Sequence, residues 1–417
     1  MTAVSGTLSS RPAAEAYLAR VCFKVGPPTL IGAELEWFTR TPSGARPTLD
    51  SLAEALGAHT PQSLRPESPA LALRSGSVVS VEPGGQIELS SSPATSLASV
   101  VEALRDDEQT LTRLLDSHGI SLAGGGADTL RPPDRLLTLP RYCAMEQRFE
   151  QYGPYGKLMM CNTAAVQVSV DAGGDDEQIR RRWATVHAVG PALLAAFATT
   201  PALYGVPDGR WASQRMRTWF ELDRTRTRVP LGVDPVRDYA TWVMDVPLLC
   251  VRRDGRLAAP PREATFAQWL EGDLDDDMGR RPTTADLDYH LTTVFPLVRA
   301  SGHLEIRYLD GQPDGAWEVP MYAVDALLSS DSVAGQALDL AEPTLNRWED
   351  AARDGLADQA LRRAAVELLT LAADSSHGEA REALGRAATR CSAAQPPTAP
   401  GTAATPPRGD ARKEFSR

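Results

Sequence analysis

The sequence predicts an α+β domain in which an antiparallel sheet is backed by helices. Strand-like and helical segments do not alternate regularly along the 417 residues, and this disfavours a doubly wound parallel sheet. Four strand-like segments carry apolar side chains on one face and polar side chains on the other. That pattern is typical of an antiparallel sheet with one face on a core and the other face open.

The elements follow from local patterns, taken in chain order. A helix is predicted over 11–23 because Ser9 or Ser10, residue types that cap helices, precedes an amphipathic stretch. Alternation then predicts strands, and helical spacing of apolar residues predicts the other helices. The predicted strands are 29–38, 76–82, 85–90, 163–171 and 303–309. The further predicted helices are 46–57, 95–118, 176–198, 235–243, 264–271, 286–292, 320–329 and a helical run from about 331 to 391.

The end of the chain differs in composition from the rest. Residues 392–417 are rich in Pro, Ala, Thr and Gly, which predicts a disordered tail. We therefore expect one domain over residues 1–391, with the helical run at its C-terminal side.

Composition restricts the class of protein. The formal net charge of −11 argues against a nucleic-acid-binding surface. The five cysteines are scattered and lack Cys-x-x-Cys spacing, as is typical of reduced thiols in a cytoplasmic protein. No apolar run approaches the roughly 20 residues that span a bilayer, and the N-terminus lacks the pattern of a signal peptide. We expect a cytoplasmic protein without membrane or nucleic-acid partners, and the sequence indicates no particular oligomeric state.

The first two polar strand faces are acidic. In IGAELEWFT, Glu34 and Glu36 share one face and alternate with apolar residues. In SVEPGGQIELSS, Gln86 and Glu88 share a face, and Glu82 lies just before a Pro-Gly-Gly turn that could aim it at the same place.

The other two polar strand faces add amides and an arginine. The polar positions in AAVQVSVDAG are Gln167, Ser169 and Asp171, and those in GHLEIRYLD are His303, Glu305 and Arg307. If the four strands share one sheet, their polar faces bring at least four glutamates into one concavity.

Such a concavity needs compensating charge. Two carboxylates 4 Å apart repel by roughly 4 kcal/mol at an effective dielectric near 20, and a whole domain is stable by only about 5–15 kcal/mol. Bound divalent cations would offset the repulsion, and ligands that are all oxygen favour Mg²⁺ or Mn²⁺ over zinc. The alternative is a solvated sheet face. Such faces usually carry lysine, and none of these four stretches does.

A second candidate feature is the arginine-rich stretch RWASQRMRTWFELDRTRTR. One interpretation is a solvated loop, and the other is that one or two of its arginines bind the carboxylates of an acidic substrate. The pattern by itself leaves that choice open.

Seven ordered blocks together resemble the plant and bacterial type of glutamate–cysteine ligase, a branch of the glutamine synthetase-like superfamily. They are IGAELEWF, VEPGGQIELSS, KLMMCNTAAVQVSVD, SQRMRTWFELDRTRT, YATWVMDVPLL, TFAQWL and HLTTVFPLVRASGHLEIRYLDGQP. The blocks RYCAMEQRF…YGPYG and TFAQWLEGD are most similar to the ergothioneine-pathway branch of actinobacteria. The resemblance runs from about residue 28 to 322.

The resemblance implies a fold and a reaction. The fold is a curved antiparallel sheet that forms a funnel-shaped active site, with helices packed outside. The reaction joins L-glutamate to L-cysteine: ATP phosphorylates the side-chain carboxylate of glutamate, and the amine of cysteine displaces phosphate to give γ-glutamylcysteine. Mg²⁺ is the implied cofactor, with Mn²⁺ as the alternative.

The resemblance also implies roles for individual residues. The implied metal ligands are Glu34, Glu36, Glu82, Glu88, Gln167 and Glu305. The implied catalytic set is Arg307, Glu36 and Glu305, and the implied ATP contacts are Arg307 and Gln167. Arg215 is implied to bind glutamate, with Arg226 as a weaker candidate for substrate or phosphate.

Two other functions stay open from the residues alone. The same site could join glutamate to a different amine, because nothing in the acidic constellation recognises a thiol. The chain could also be a non-catalytic binding protein on this scaffold, although the persistence of all five glutamates argues against it.

Overall fold

The structure, a computed structural model, describes residues 6, 8–206, 211–229, 231–253, 256–313 and 315–397. The strands are β1 (Ile31–Arg40), β2 (Val78–Val81), β3 (Ile87–Ser90), β4 (Ser121–Ala123), β5 (Ala165–Val170), β6 (Val251–Arg253), β7 (Arg256–Ala258), β8 (Val298–Ala300) and β9 (Leu304–Asp310). The helices are α1 (Arg11–Cys22), α2 (Leu49–Leu56), α3 (Leu97–Asp116), α4 (Pro140–Phe149), α5 (Tyr155–Asn162), α6 (Asp176–Ala188), α7 (Gly190–Phe197), α8 (Gln214–Glu221), α9 (Arg224–Thr227), α10 (Pro235–Asp245), α11 (Phe266–Glu271), α12 (Asp275–Met278), α13 (Thr284–Leu291), α14 (Glu318–Leu327), α15 (Asp331–Ala341), α16 (Trp348–Asp354), α17 (Gln359–Asp374) and α18 (Gly378–Ser392).

The central feature is one antiparallel sheet. Its strands run in the order β2-β3-β1-β5-β9-β8, and β4 pairs with the far end of β1. Helices α3, α7 and α14 pack against β1, β9 and β5. This confirms the predicted α+β class and shows that the four polar strands of the sequence analysis are neighbours in one sheet.

Strand β1 shows the predicted alternation. Ala33, Leu35 and Trp37 are buried in the core, and Glu34 and Glu36 are half-buried on the opposite face. Successive side chains of a strand point to opposite faces, so the alternation in sequence becomes one apolar and one acidic side.

The turn between β2 and β3 requires its glycines. Gly85 has a positive φ of 85°, and a Cβ added to Gly84 would lie 2.4 Å from the carbonyl oxygen of Cys161. Glu82 opens the turn and accepts a backbone hydrogen bond from Gly85 at 2.9 Å. The tight turn therefore fixes the position of Glu82 beside the sheet.

A bulge interrupts the pairing of β5 with β9. Arg307 and Tyr308 of β9 lie opposite the single residue Gln167 of β5. Bulges of this kind increase the local twist and redirect side chains. Here the Tyr308 hydroxyl donates to the carbonyl oxygen of Val186 in the core, and Arg307 and Gln167 face the open side of the sheet.

The predicted helical run consists of four helices, α15 to α18. Helix α17 buries Leu361, Leu368 and Leu369 and packs on α7, α14 and α18. Because these contacts reach helices that themselves cover the sheet, the run shares one core with the rest of the chain. Helix α18 extends to Ser392, and residues 398–417 of the predicted tail lie outside the described residues.

Several elements were not predicted. These are β4, β8, the β6–β7 hairpin and helices α4, α5, α8, α9 and α12. Short strands of three residues give no clear alternation, and glycine and proline around Pro154 weaken the helical pattern of α5. No helix in the described part of the chain is long and apolar enough to cross a membrane.

Candidate active site

A cavity of about 280 Å³ opens on the polar face of the sheet. The strands and the β2–β3 turn contribute most of its charged lining, α4 and α8 contribute the rest, and α5 contributes apolar side chains. Its polar lining residues are Glu34, Glu36, Glu82, Gln86, Glu88, Arg141, Tyr142, Thr163, Gln167, Arg215, Arg299 and Arg307. Residues separated by up to 273 positions in sequence therefore meet in one place, from Glu34 to Arg307.

Strand register brings the acids together. Glu36 lies opposite Glu88 across β1 and β3, and Glu34 lies opposite Gln167 across β1 and β5. Opposite residues in a sheet have Cβ atoms about 4.5–5.5 Å apart. The predicted crowding of carboxylates is therefore a direct consequence of the pairing.

Glu36 is held by two donors. Its Oε2 accepts from the backbone N–H of Ala165 at 2.9 Å, and its Oε1 accepts from Nε2 of Gln167 at 3.1 Å. Glu88 is oriented by two hydroxyls, because its Oε1 accepts from Ser80 at 2.8 Å and from Ser90 at 3.2 Å. These hydrogen bonds fix the side chains before any ligand arrives.

Glu305 has a different environment from the other acids. Arg299 donates to its Oε2 through Nε at 2.8 Å, and Arg307 contacts its Oε1 through Nη1. Glu305 is 2% exposed and is absent from the cavity lining, whereas both arginines belong to it. In this structure Glu305 thus lies behind two guanidinium groups and holds both of them in place. The catalytic and metal-binding role that the family resemblance implies for Glu305 stays a prediction.

Arg215 is anchored at the base of the cavity. Its Nη2 donates to the carbonyl oxygen of Arg307 at 2.8 Å, and its Nη1 lies 3.6 Å from Oδ1 of Asp310. The guanidinium groups of Arg215 and Arg307 lie 5.4 and 5.7 Å from the ring centroid of Trp219. The indole N–H donates to the carbonyl oxygen of Phe295 at 2.8 Å, which fixes the ring between two cations.

The carboxyl groups on the cavity wall resist ionisation. Burial, together with repulsion from Glu88 and Glu305, raises the pKa of Glu34 to about 8. Burial raises the pKa of Glu36 and of Glu88 to about 7, and burial with repulsion from Glu88 raises the pKa of Glu82 well above its usual value. These shifts show a cluster of acids that lacks sufficient positive charge around it.

Glu305 is the exception among the five acids. Burial opposes its ionisation, but Arg307 and Arg299 outweigh that effect and lower its pKa. Burial lowers the pKa of Arg215, whereas Glu305 and Glu34 overcome burial and raise the pKa of Arg307. The cavity thus has one compensated carboxylate behind its arginines and four poorly compensated ones at its surface.

Three buried polar atoms of the lining have no hydrogen-bond partner within the described residues. They are Oε1 of Gln86, Oε1 of Gln167 and Nε of Arg307. Buried polar atoms are nearly always paired, since an unpaired one costs roughly 1–3 kcal/mol. Two unpaired acceptors and one unpaired donor in the same cavity indicate a place prepared for a polar ligand.

The described residues contain no group of three or more His, Cys, Asp or Glu side chains arranged to hold a metal ion. The four acids of the cavity lining, Glu34, Glu36, Glu82 and Glu88, therefore do not form a complete set of metal ligands by themselves. Their oxygens are the donor type that Mg²⁺ and Mn²⁺ prefer.

Arg226 is not part of this cavity. It is fully buried, its Nε donates to Asp223 at 2.8 Å, and its terminal nitrogens donate to the carbonyl oxygens of Thr293 and Pro247. The donors of Arg226 are therefore used inside the protein in this structure, and the substrate-binding role that the family resemblance implies for it stays a prediction. Ser169, Asp171 and His303, three predicted polar-face residues, also lie outside the cavity lining.

Several lining residues were missed by the sequence analysis. Arg299 lies on β8, a strand too short to predict, and its only signal was a position six residues before Glu305. Arg141 and Tyr142 lie at the start of α4, and Arg141 donates to the carbonyl oxygen of Thr292 at 2.5 Å, across the mouth of the cavity. The block RYCAMEQRF contained both residues but no pattern that specified their role.

Comparison with known proteins gives relatives over most of the chain. A glutamate–cysteine ligase named EgtA from Mycobacterium tuberculosis is 38% identical over 377 residues, 88% of this chain and 84% of the relative. EgtA from Mycolicibacterium smegmatis is 36% identical over 393 residues, 92% of this chain and 88% of the relative. A chloroplastic glutamate–cysteine ligase from Arabidopsis thaliana is 30% identical over 357 residues, 82% of this chain and 66% of the relative.

A solved structure and a family model agree with these relatives. The crystal structure of a glutamate–cysteine ligase from Francisella tularensis in complex with AMP has the same fold, with a TM-score of 0.52 and 14% identity over 88% of this chain and 82% of that one. The family model described as glutamate-cysteine ligase family 2 matches residues 30–398. By its sequence, the chain belongs to glutamate–cysteine ligase family 2.

Proposed function

We propose that this chain catalyses the ATP-dependent ligation of L-glutamate to L-cysteine. An oxygen of the γ-carboxylate of glutamate attacks the γ-phosphorus of ATP, the bond to the bridging oxygen breaks, and ADP leaves. The amine of cysteine then attacks the γ-carbonyl carbon of the acyl phosphate. The C–N bond forms, the C–O bond to phosphate breaks, and the amine loses a proton to give γ-glutamylcysteine.

The positive groups of the cavity suit the two anionic partners. Arg307 and Arg299 present guanidinium groups on the cavity wall, and both are held by Glu305. Forked donors of this kind bind phosphate oxygens and stabilise the charge that develops during phosphoryl transfer. Arg215, fixed by Asp310, is the group that would bind a carboxylate of glutamate beside them.

The acidic groups suit divalent cations that arrive with the nucleotide. Mg²⁺ keeps several waters and is usually held by one or two carboxylates plus substrate phosphates, so a closed cage of three protein ligands is not required. The cations would be held by the carboxylates of the lining, which are Glu34, Glu36, Glu82 and Glu88. The unpaired Oε1 of Gln167 would accept hydrogen bonds from water molecules bound to a cation. When bound, the cation neutralises phosphate charge and polarises the transferred group.

One observation supports the proposal most strongly. The lining of one cavity contains four poorly compensated carboxylates, four arginines and three unpaired polar atoms. The arginines have partners within the protein, whereas the four carboxylates are not compensated by the protein alone. A complex of divalent cations and a polyphosphate carries charge of both signs. Its cations would compensate the carboxylates, and its phosphate oxygens would bind the arginines.

The direct test is product formation by the purified chain. Incubation with ATP, Mg²⁺, L-glutamate and L-cysteine should give γ-glutamylcysteine by mass spectrometry and one ADP per product. Parallel reactions replace cysteine with alanine, 2-aminobutyrate or other amines. A response to cysteine no larger than to alanine would assign the site to another amine and reject cysteine as the substrate.

A variant separates catalysis from simple binding. Glu36→Gln keeps the shape of the side chain and its contact with Gln167 but removes the negative charge. We expect ATP turnover to fall by about 100-fold or more, because charge neutralisation at phosphate provides most of the acceleration in this chemistry. An unchanged circular dichroism spectrum is the control. Wild-type turnover in this variant would contradict a catalytic role and favour a binding protein.

The sequence blocks that resemble the ergothioneine-pathway branch support a place for this reaction at the start of ergothioneine biosynthesis. Deletion of the gene in its source organism should abolish ergothioneine, and added γ-glutamylcysteine should restore it. Retention of ergothioneine in the deletion strain would reject the pathway while leaving the reaction itself intact.

A further inference from the structure

Part of the cavity lining is apolar and rich in sulfur. Met145 on α4 and Met159 and Met160 on α5 line it together with Phe295, and each of these side chains is less than one-tenth exposed. The chain has only eight methionines, so three in one small cavity form a notable concentration. The charged chemistry described above uses none of them.

The apolar wall adjoins the groups that would hold glutamate and phosphate. The ring centroid of Phe295 lies 6.5 Å from that of Trp219, and Trp219 contacts the guanidinium groups of both Arg215 and Arg307. On the other side, Nε2 of Gln86 donates to the carbonyl oxygen of Met160 at 3.4 Å. The wall is therefore continuous with the charged part of the cavity.

We propose that this methionine wall, defined as Met145, Met159, Met160 and Phe295, binds the thiol side chain of the acceptor amino acid. The inference rests on the proposed function and names the part of the site that distinguishes cysteine from other amines. Sulfur is soft and polarisable, and it makes favourable contacts with thioethers and aromatic edges. A thiol also gives up little hydration when it enters an apolar surface, because it is a weak hydrogen-bonding group.

The reaction itself restricts which ligand can occupy the wall. The amine of the acceptor must come within about 3–3.5 Å of the γ-carbonyl carbon, so its side chain must lie beside the glutamate and γ-phosphate positions. Adenine is separated from the γ-phosphate by a ribose and two further phosphates. A wall in contact with Trp219 between Arg215 and Arg307 is therefore placed for the acceptor side chain and not for the base.

The wall predicts a definite order of acceptors. Serine should be the poorest of the close analogues, because its hydroxyl would lose water and find no partner on thioether and phenyl groups. An analogue that replaces the thiol with a methyl group should be rejected more weakly, since apolar pockets discriminate poorly between groups of similar size. Selectivity therefore depends on the absence of polar groups at this wall.

The experiment compares specificity constants. Met145→Gln and Met159→Gln introduce a polar amide of similar length at two independent positions, and kcat/KM is measured for cysteine and for serine. We expect the cysteine-to-serine ratio to fall by about tenfold in each variant, with KM for ATP and for glutamate changed by less than about twofold. Met145→Leu and Met159→Leu are the matched controls, because they keep the wall apolar and remove only the thioether sulfur. The ratio should therefore fall less in each of them than in the corresponding glutamine variant.

The outcomes separate this inference from the proposed function. Wild-type ligation with an unchanged ratio in both folded glutamine variants would overturn the thiol assignment alone. A rise in KM for ATP with an unchanged ratio would also overturn it and would assign the wall to adenine. Wild-type protein that forms no γ-glutamylcysteine would overturn the proposed function and this inference with it. Unfolding midpoints verify that each variant is folded, and one folded glutamine variant suffices for the comparison.

Discussion

At the scale of single residues, two buried arginines from one stretch of sequence have different environments. Arg215 is 2% exposed but lines the cavity, with donors directed at Asp310 and at the backbone of Arg307. Arg226 is also buried but uses its donors within the protein core. Burial is therefore common to both, and access to the cavity distinguishes them.

Arg215→Lys should impair glutamate binding. Lysine keeps the charge but loses the forked geometry that a carboxylate requires. We expect KM for glutamate to rise by at least about 30-fold, which corresponds to about 2 kcal/mol. Steady-state kinetics at saturating ATP and cysteine provides the measurement, and an unaltered KM for glutamate would remove Arg215 from the binding site.

Arg226→Met is the matched control for that experiment. Removing Arg226 leaves Asp223 with Arg148, at 3.9 Å, as its charged partner. Breaking a buried ion pair in this way typically costs about 3–5 kcal/mol of stability. Urea unfolding should show that loss, whereas KM for glutamate of the folded enzyme should stay within about twofold of wild type. A large change in KM for glutamate without loss of stability would support the substrate role that the family resemblance implies for Arg226.

At the scale of elements, strand β9 carries Arg307 and also positions the helix that carries Arg215. Its bulge presents Arg307 to the cavity, and its last residue, Asp310, joins the strand to the start of α8. Asp310 accepts from Ser213 at 2.8 Å through Oδ1 and from Thr200 at 2.9 Å through Oδ2. Because Ser213 is also the N-cap of α8, Asp310 sets the position of the helix that carries Arg215.

Asp310→Asn should act on glutamate through Arg215. The substitution keeps the size of the side chain but removes the buried negative charge 3.6 Å from the guanidinium. We expect KM for glutamate to rise by roughly tenfold while KM for ATP changes little, because removing a charged partner costs about 1.5–3 kcal/mol. The split between the two KM values distinguishes a positioning role from general damage to the fold.

Asp325→Asn is a suitable control for the Asp310→Asn experiment. Asp325 is a half-buried acid on α14 outside the cavity lining, so its removal should leave both KM values unchanged. Equal effects of the two substitutions on every kinetic constant would contradict a specific link between Asp310 and Arg215.

At the scale of the whole molecule, buried histidines connect stability to pH. Burial lowers the pKa of His187 and of His290 to about 4, and Nε2 of His290 donates to the carbonyl oxygen of Val243 at 2.9 Å. A histidine with a depressed pKa in the folded state is protonated first in the unfolded state. Its contribution to stability is therefore complete above about pH 6.5 and is lost as pH falls toward 4.

His290→Gln removes the contribution of His290 to the pH dependence of stability and retains a donor for the carbonyl oxygen of Val243. Between pH 7 and pH 5, the stability advantage of wild type over the variant should shrink by on the order of 2 kcal/mol. Denaturant unfolding at each pH measures both proteins, and their difference removes the contribution of the cavity acids, which have the opposite pH dependence. A constant difference across this range would show that His290 titrates normally in the folded state.

The sequence predicted the fold class and most of the acidic site because both depend on local periodicity. Alternation in β1, β3 and β5 assigns each side chain to a face, and the approximate bounds of long helices such as α3 follow from the spacing of apolar residues. The positions of Glu34, Glu36, Glu82, Glu88 and Gln167 on one cavity were therefore accessible from pattern alone. Alternation also assigned Arg307 to the polar face, and the family resemblance added Arg215 and the roles implied for both arginines.

Tertiary structure decided how these charges are compensated. Only strand order and the β5–β9 bulge place Arg299 and Arg307 on either side of Glu305. Only the packing of α4 and α5 brings three methionines to the cavity, and only long-range contacts distinguish Arg215 from Arg226. The physical reason is that periodicity specifies the face of each side chain, whereas charge pairing depends on which distant faces are packed together.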